Sequence, residues 1–178
     1  MGEAIYPSNF SRIIKIKGVV NWSEVYGFIK AWFKNKRYDI HETTYKDKPD
    51  SVEGTNKLEC AITAERKIDE YYMFQISVAI KGWGLIPIKD KTKNNKSIYK
   101  GRIRFIIDTW VVEDYDNIME HGAVAQKLKY FLRRTVKGRM TNCVFADYVH
   151  YETVMFINDL KKILDLYAES EAFRQKIG

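Results

Sequence analysis

The sequence predicts an α+β fold: one domain spanning residues 1–178, with a mainly antiparallel sheet of five or six strands covered by helices. Three patterns carry that reading. Apolar residues recur at helical spacing once near the start and again towards the end. Between them lie several segments that alternate apolar and polar residues with the period of two expected of half-buried strands. The connections between those segments are short, so neighbours in sequence pair as antiparallel hairpins. The expected order is β-α-β-β-β-(β)-β-α-α.

The first strand is read over Phe10 to Lys17, where Ile14-Lys15-Ile16-Lys17 alternates, and Gly18 is expected to end it. Asn21 then stands as an N-cap with Glu24 three residues on, a capping box, and Val20 and Val25 are placed as a hydrophobic staple. Val25, Phe28, Ile29, Trp32 and Phe33 follow as one apolar stripe. Tyr38 to Lys46 alternates weakly, and Asp47 to Gly54 reads as a turn. Leu58, Cys60, Ile62 and Ala64 mark the dry face of a strand, and 67–70 a hairpin connection. Tyr72, Phe74, Ile76, Val78 and Ile80 mark the next strand. Gly82-Trp83-Gly84 reads as a strand break or bulge, followed by a short edge piece with Pro87. After a Lys-rich loop over 89–97, a long strand from Tyr99 to Val112 sets Ile103, Phe105, Ile107, Thr109 and Val111 on one face. Arg102, Arg104, Ile106, Asp108, Trp110 and Val112 fall on the other. Val124, Leu128, Phe131, Leu132 and Thr135 mark a second helix that Gly138 ends. A third runs from near Asp147 to Tyr167 or beyond, with Val149, Phe156, Ile157, Leu160 and Leu164 on its apolar face.

Composition narrows the function classes. With 46% apolar and 30% charged residues in 178, the chain is globular and long enough to bury a full core. Cys60 and Cys143 stand apart, outside any CxxC or Cys/His cluster, and are expected as buried thiols in a cytoplasmic, reducing compartment. No apolar run is long enough to span a membrane, and Met1 to Asn9 lacks the regions of a signal peptide. His41, His121 and His150 match no metal-binding spacing, and Asp147 with His150 supplies too few ligands. Glu113, Asp114 and Asp116 match no EF-hand and read as solvated charge in a turn at a helix start. Neither a phosphate-binding Gly-rich loop nor a nucleophile motif is present. The expectation is a non-catalytic protein without a cofactor.

Charge distribution is the informative feature. Residues 89–104 and 127–139 each carry a net +6, which leaves −5 for the rest of a chain whose total is +7. Lys91, Lys93, Lys96, Lys100, Arg102 and Arg104 in the first segment are candidate phosphate contacts. So are Lys127, Arg133, Arg134, Lys137 and Arg139 in the second, where Tyr130 is placed to stack on an unpaired base. This predicts a protein that contacts nucleic acid, RNA or a ribonucleoprotein in preference to DNA. An acidic protein partner would satisfy the same charges.

The succession of strand, helix, antiparallel strands and a long C-terminal helix resembles the helix-grip ligand-binding domains. It departs from them in having one helix after the first strand instead of a pair, and a further basic helix before the last. The resemblance implies an alternative, a carrier of a small apolar ligand held between the sheet and the last helix against Tyr72, Phe74, Ile76 and Val78. A third reading is an assembly subunit whose Tyr- and Trp-rich surface makes protein contacts.

Overall fold

A computed structural model describes residues 3–7, 11–50, 54–88, 97–116, 127, 130–131 and 144–174. The fold is α+β. Its strands are β1 (Glu3–Pro7), β2 (Arg12–Asn21), β3 (Asp39–Pro49), β4 (Asn56–Lys67), β5 (Tyr72–Ile88) and β6 (Ile98–Glu113). Two long helices are described, α1 (Trp22–Asn35) and α2 (Ala146–Arg174). Every pairing is antiparallel, and the sheet runs β1-β6-β5-β4-β3. Strand β6 is bonded on both edges. One edge takes β5 along its length, and the other takes β2 over Ile98 to Ile107 and β1 over Trp110 to Glu113.

Helix α1 begins as its sequence requires. The Asn21 carboxamide oxygen accepts from the Glu24 amide at 3.4 Å, and its amide nitrogen donates to the Glu24 carboxylate at 3.1 Å. Val20 and Val25, the staple pair, are both buried, as are Ile29, Trp32 and Phe33. Trp32 packs edge-on against Phe33 and 5.1 Å from the ring of Phe156, while its indole donates to Asp159 at 3.2 Å. Phe156 and Phe33 lie 4.9 Å apart, so the two helices meet through aromatic rings over the inner sheet face.

Polar contacts fix α2 on the sheet. Thr109 on β6 and Thr153 on α2 share a buried hydrogen bond of 2.9 Å. Glu152, 3% exposed, accepts two bonds from the Arg66 guanidinium at 3.2 and 2.9 Å and one from the Tyr38 hydroxyl at 2.7 Å. Arg66 also donates to the Lys36 carbonyl and lies over the rings of Tyr38, Phe74 and Tyr148. Burial, first, and the neighbouring Glu152 push the Tyr38 phenol far above its ordinary range.

Several expectations are corrected. Gly18 does not end the first strand. It faces Gly101 in the β2–β6 ladder, and the strand runs on to Asn21 because β6 supplies partners throughout. The extended piece holding Pro87 is not separate. It is the end of β5, joined through a bulge between Trp83 and Ile86. Its pairing with β4 has stopped at Leu85, so Pro87 has only β6 beside it and needs no second ladder bond. At Gly101 a Cβ would meet the Gly84 carbonyl oxygen at 2.7 Å and Leu85 at 2.8 Å. Gly84 itself holds a φ of 58°. The bulge therefore needs glycine on both strands, and it drives Leu85 fully into the core. The acidic turn is solvated at Asp116, as expected, but not at its other two carboxylates. Glu113 and Asp114 are each 1% exposed, because β6 carries them under its neighbours, and the Asp114 amide donates to the Tyr71 carbonyl at 2.7 Å.

The connection after β4 is a turn organised by Asp69, whose carboxylate accepts from the amides of Tyr71 and Tyr72. The expected second helix falls mostly outside the described residues, as does the loop over 89–96. Lys127, Tyr130 and Phe131 are helical.

Trp32→Ala should cost about 3–5 kcal/mol, the range for a buried aromatic, read from denaturant midpoints at constant slope. Gly101→Ala should cost about 1–3 kcal/mol, because the obstacle is backbone and cannot rotate away. A variant as stable as the parent would mean that the bulge packs loosely.

Candidate nucleic-acid interface

The outer face of the sheet is set by the phase of three strands. Antiparallel registry places Lys15 opposite Arg104 and Lys17 opposite Arg102 on the β2 side. On the β5 side Lys81 faces Arg104 and Trp83 faces Arg102. The result is two cross-strand rows, Lys15–Arg104–Lys81 and Lys17–Arg102–Trp83. Adjacent strands are about 4.8 Å apart and residues two apart on one strand about 6.8 Å, so five cationic side chains rise from a small rectangle of sheet. Helix α2 packs on the opposite face, through Thr153 on Thr109 and Glu152 on Arg66, and α1 lies with it through Phe33 on Phe156.

Lys15, Lys17, Lys81 and Arg102 are exposed, and Arg104 is half-buried. Among the described residues no carboxylate bonds to Lys15, Lys17, Arg102 or Arg104. Glu59 follows Lys81 in its row but is bonded to Lys57 at 3.0 Å. That bond, with smaller contributions from Lys46 and Lys81, holds the Glu59 carboxyl below its usual range. The Arg104 guanidinium sits 5.3 Å from the centre of the Trp83 ring, a cation–π contact. Its Nε is buried and has no hydrogen-bond partner among the described residues. Lys15, Lys17, Trp83, Arg102 and Arg104, with Ile16 and Ile103, line a concavity of about 450 Å³ on this face.

Like charges directly opposite across strands are unfavourable by a few tenths of a kcal/mol or more per pair. A row of three cations therefore raises the energy of the empty surface, and an anion seated there relieves it. The chemistry available is charge-assisted hydrogen bonding to oxyanions, with an indole alongside for stacking.

Of the residues expected from sequence, Lys100, Arg102 and Arg104 share the outer face of β6. Lys127 and Tyr130 are exposed, Tyr130 to 66%. Lys91, Lys93, Lys96, Arg133, Arg134, Lys137 and Arg139 lie outside the described residues. Sequence reasoning missed Lys15, Lys17, Lys81 and Trp83. The signal was present for two of them, since Lys15 and Lys17 occupy the polar phase of the first alternating strand. What was lacking was the knowledge that this strand lies against β6.

Other candidate chemistry is sparse. Among the described residues no group of three or more His, Cys, Asp or Glu is placed to hold a metal. His41 is exposed, 3.9 Å from Glu65, and His150 lies 3.1 Å from the Arg12 guanidinium. Burial pushes the Cys60 thiol up to about 11, away from nucleophilic reactivity. No helix among the described residues is long and apolar enough to cross a membrane. No family model, no curated protein and no solved structure matches the chain.

Proposed function

We propose that this chain is a non-catalytic nucleic-acid-binding protein, and that single-stranded RNA is the form it takes best. The observation that carries this reading is the cluster of Lys15, Lys17, Lys81, Arg102 and Arg104 around Trp83, without bonded carboxylates among the described residues. Cations position a phosphodiester backbone without reading its sequence. An indole beside them favours unpaired bases, whose faces are free to stack, over a duplex whose bases are already stacked. Lys100 extends the same face, and the basic segment over 127–139 supplies further contacts in this reading.

Fluorescence anisotropy with a labelled single-stranded RNA tests it. About five phosphate contacts give a slope of log K against log salt of roughly −3.5 for a single strand, a loss on the order of 100-fold between about 50 and 200 mM salt. Replacing Arg102 and Arg104 with Gln should weaken binding evenly across sequences and flatten the slope by about 1.4. Absence of binding at low salt would sink the proposal, and equal affinity for polyglutamate-competed and free protein would point away from an acidic protein partner.

A second expectation separates function from stability. Lys15→Thr removes one cation from a crowded row and keeps a residue suited to a strand. It should leave the melting temperature at low salt unchanged or raise stability by a few tenths of a kcal/mol, on the order of one cross-strand pair. RNA affinity should fall in the same variant. A clear loss of stability would show that Lys15 is held there by packing and not for a ligand.

A further inference from the structure

We infer that the concavity on the outer sheet face seats a terminal phosphomonoester, the phosphorylated end of a nucleic-acid strand. The inference deepens the nucleic-acid reading and rests on it. A backbone running across a surface asks for cations strung along its path, about one to each singly charged phosphodiester. Here Lys15, Lys17, Arg102 and Arg104 converge on one hollow of about 450 Å³, small enough for a phosphate and its nearest sugar and base. A phosphomonoester carries between −1.5 and −2 near neutral pH and presents three acceptor oxygens, which matches the concentration of charge better than a diester does. Trp83 closes one side of the hollow with Arg104 against its ring, so a terminal base has an indole to meet while its phosphate meets the cations.

The test compares one short oligouridine carrying a 5′-phosphate, a 3′-phosphate or hydroxyls at both ends, with the fluorophore on the same internal base each time. At neutral pH a phosphorylated end should bind on the order of tenfold more tightly than the hydroxyl strand, the scale of one added charged hydrogen bond. The two phosphorylated strands tell which terminus is read. The advantage should shrink at pH about 5, where the phosphomonoester loses its second charge. Millimolar inorganic phosphate should erase it. Arg104→Gln and Lys17→Gln should each reduce the preference to about one, whereas Lys81→Gln, outside the lining, should weaken all three strands alike and keep the ratio between them. Should Arg104→Gln fail to fold, Lys15→Gln and Lys17→Gln, both at exposed positions, carry the same comparison. Equal affinity for all three strands would overturn the terminal-phosphate seat and leave the nucleic-acid reading standing. A preference untouched by the lining variants would overturn its location, and no binding of any strand would overturn both.

Discussion

The alternation of β6 is the constraint on which the rest depends. This strand is hydrogen-bonded along both edges, so it has no freedom to turn, and every second residue must face the helices. Ile103, Phe105, Ile107, Thr109 and Val111 face inward and are at most 4% exposed. Arg102 and Arg104 are committed to the outer face by the same step. A slip of one residue would bury two guanidinium groups and expose the core, a change far larger than the few kcal/mol that hold a domain folded. Core and candidate site are thus two readings of one period, and neither can move without the other.

The inner face is closed by polar anchors as well as by rings. Glu152 of the Arg66–Glu152 pair is buried and Arg66 half-buried, and the net stabilisation from such pairs is small because desolvation offsets attraction. Its value lies in direction. Two parallel bonds from a planar guanidinium, a third from Tyr38, and the Thr109–Thr153 bond allow α2 one position along the sheet. Phe156 can then nest between Trp32 and Phe33. With the helices fixed on that side, candidate ligand chemistry falls on the other, where no carboxylate among the described residues bonds Lys15, Lys17, Arg102 or Arg104.

Much of this was legible in the sequence because it is local. The Asn21 cap, the apolar stripe of α1 and the alternations of β4, β5 and β6 are written within a few residues, and Arg102 and Arg104 stood out by their phase. The pairing of β2 with β6 was not legible, since nothing near Lys15 says which distant strand will lie beside it. Lys81 and Trp83 were hidden for a different reason. Gly82-Trp83-Gly84 reads equally as a stop and as a bulge, and only the close approach of Gly101 to Gly84 decides for the bulge, which leaves Trp83 beside Arg102. Glu113 and Asp114 looked solvated because charge in a turn usually is, and their burial comes from tertiary cover that local pattern does not encode.

Indole resonances offer the most direct view of where the ligand sits. The chain has four tryptophans, and their side-chain N–H signals are separable in a nitrogen-correlated NMR spectrum. Titration with single-stranded RNA at low salt should shift the Trp83 indole together with the backbone amides of Lys15 to Lys17 and Arg102 to Arg104. The Trp32 indole, buried on the inner face and bonded to Asp159, should stay in place. Perturbations gathered at Trp32, Phe74 and Ile76, with Trp83 unmoved, would place the ligand under the helices and contradict an outer-face interface.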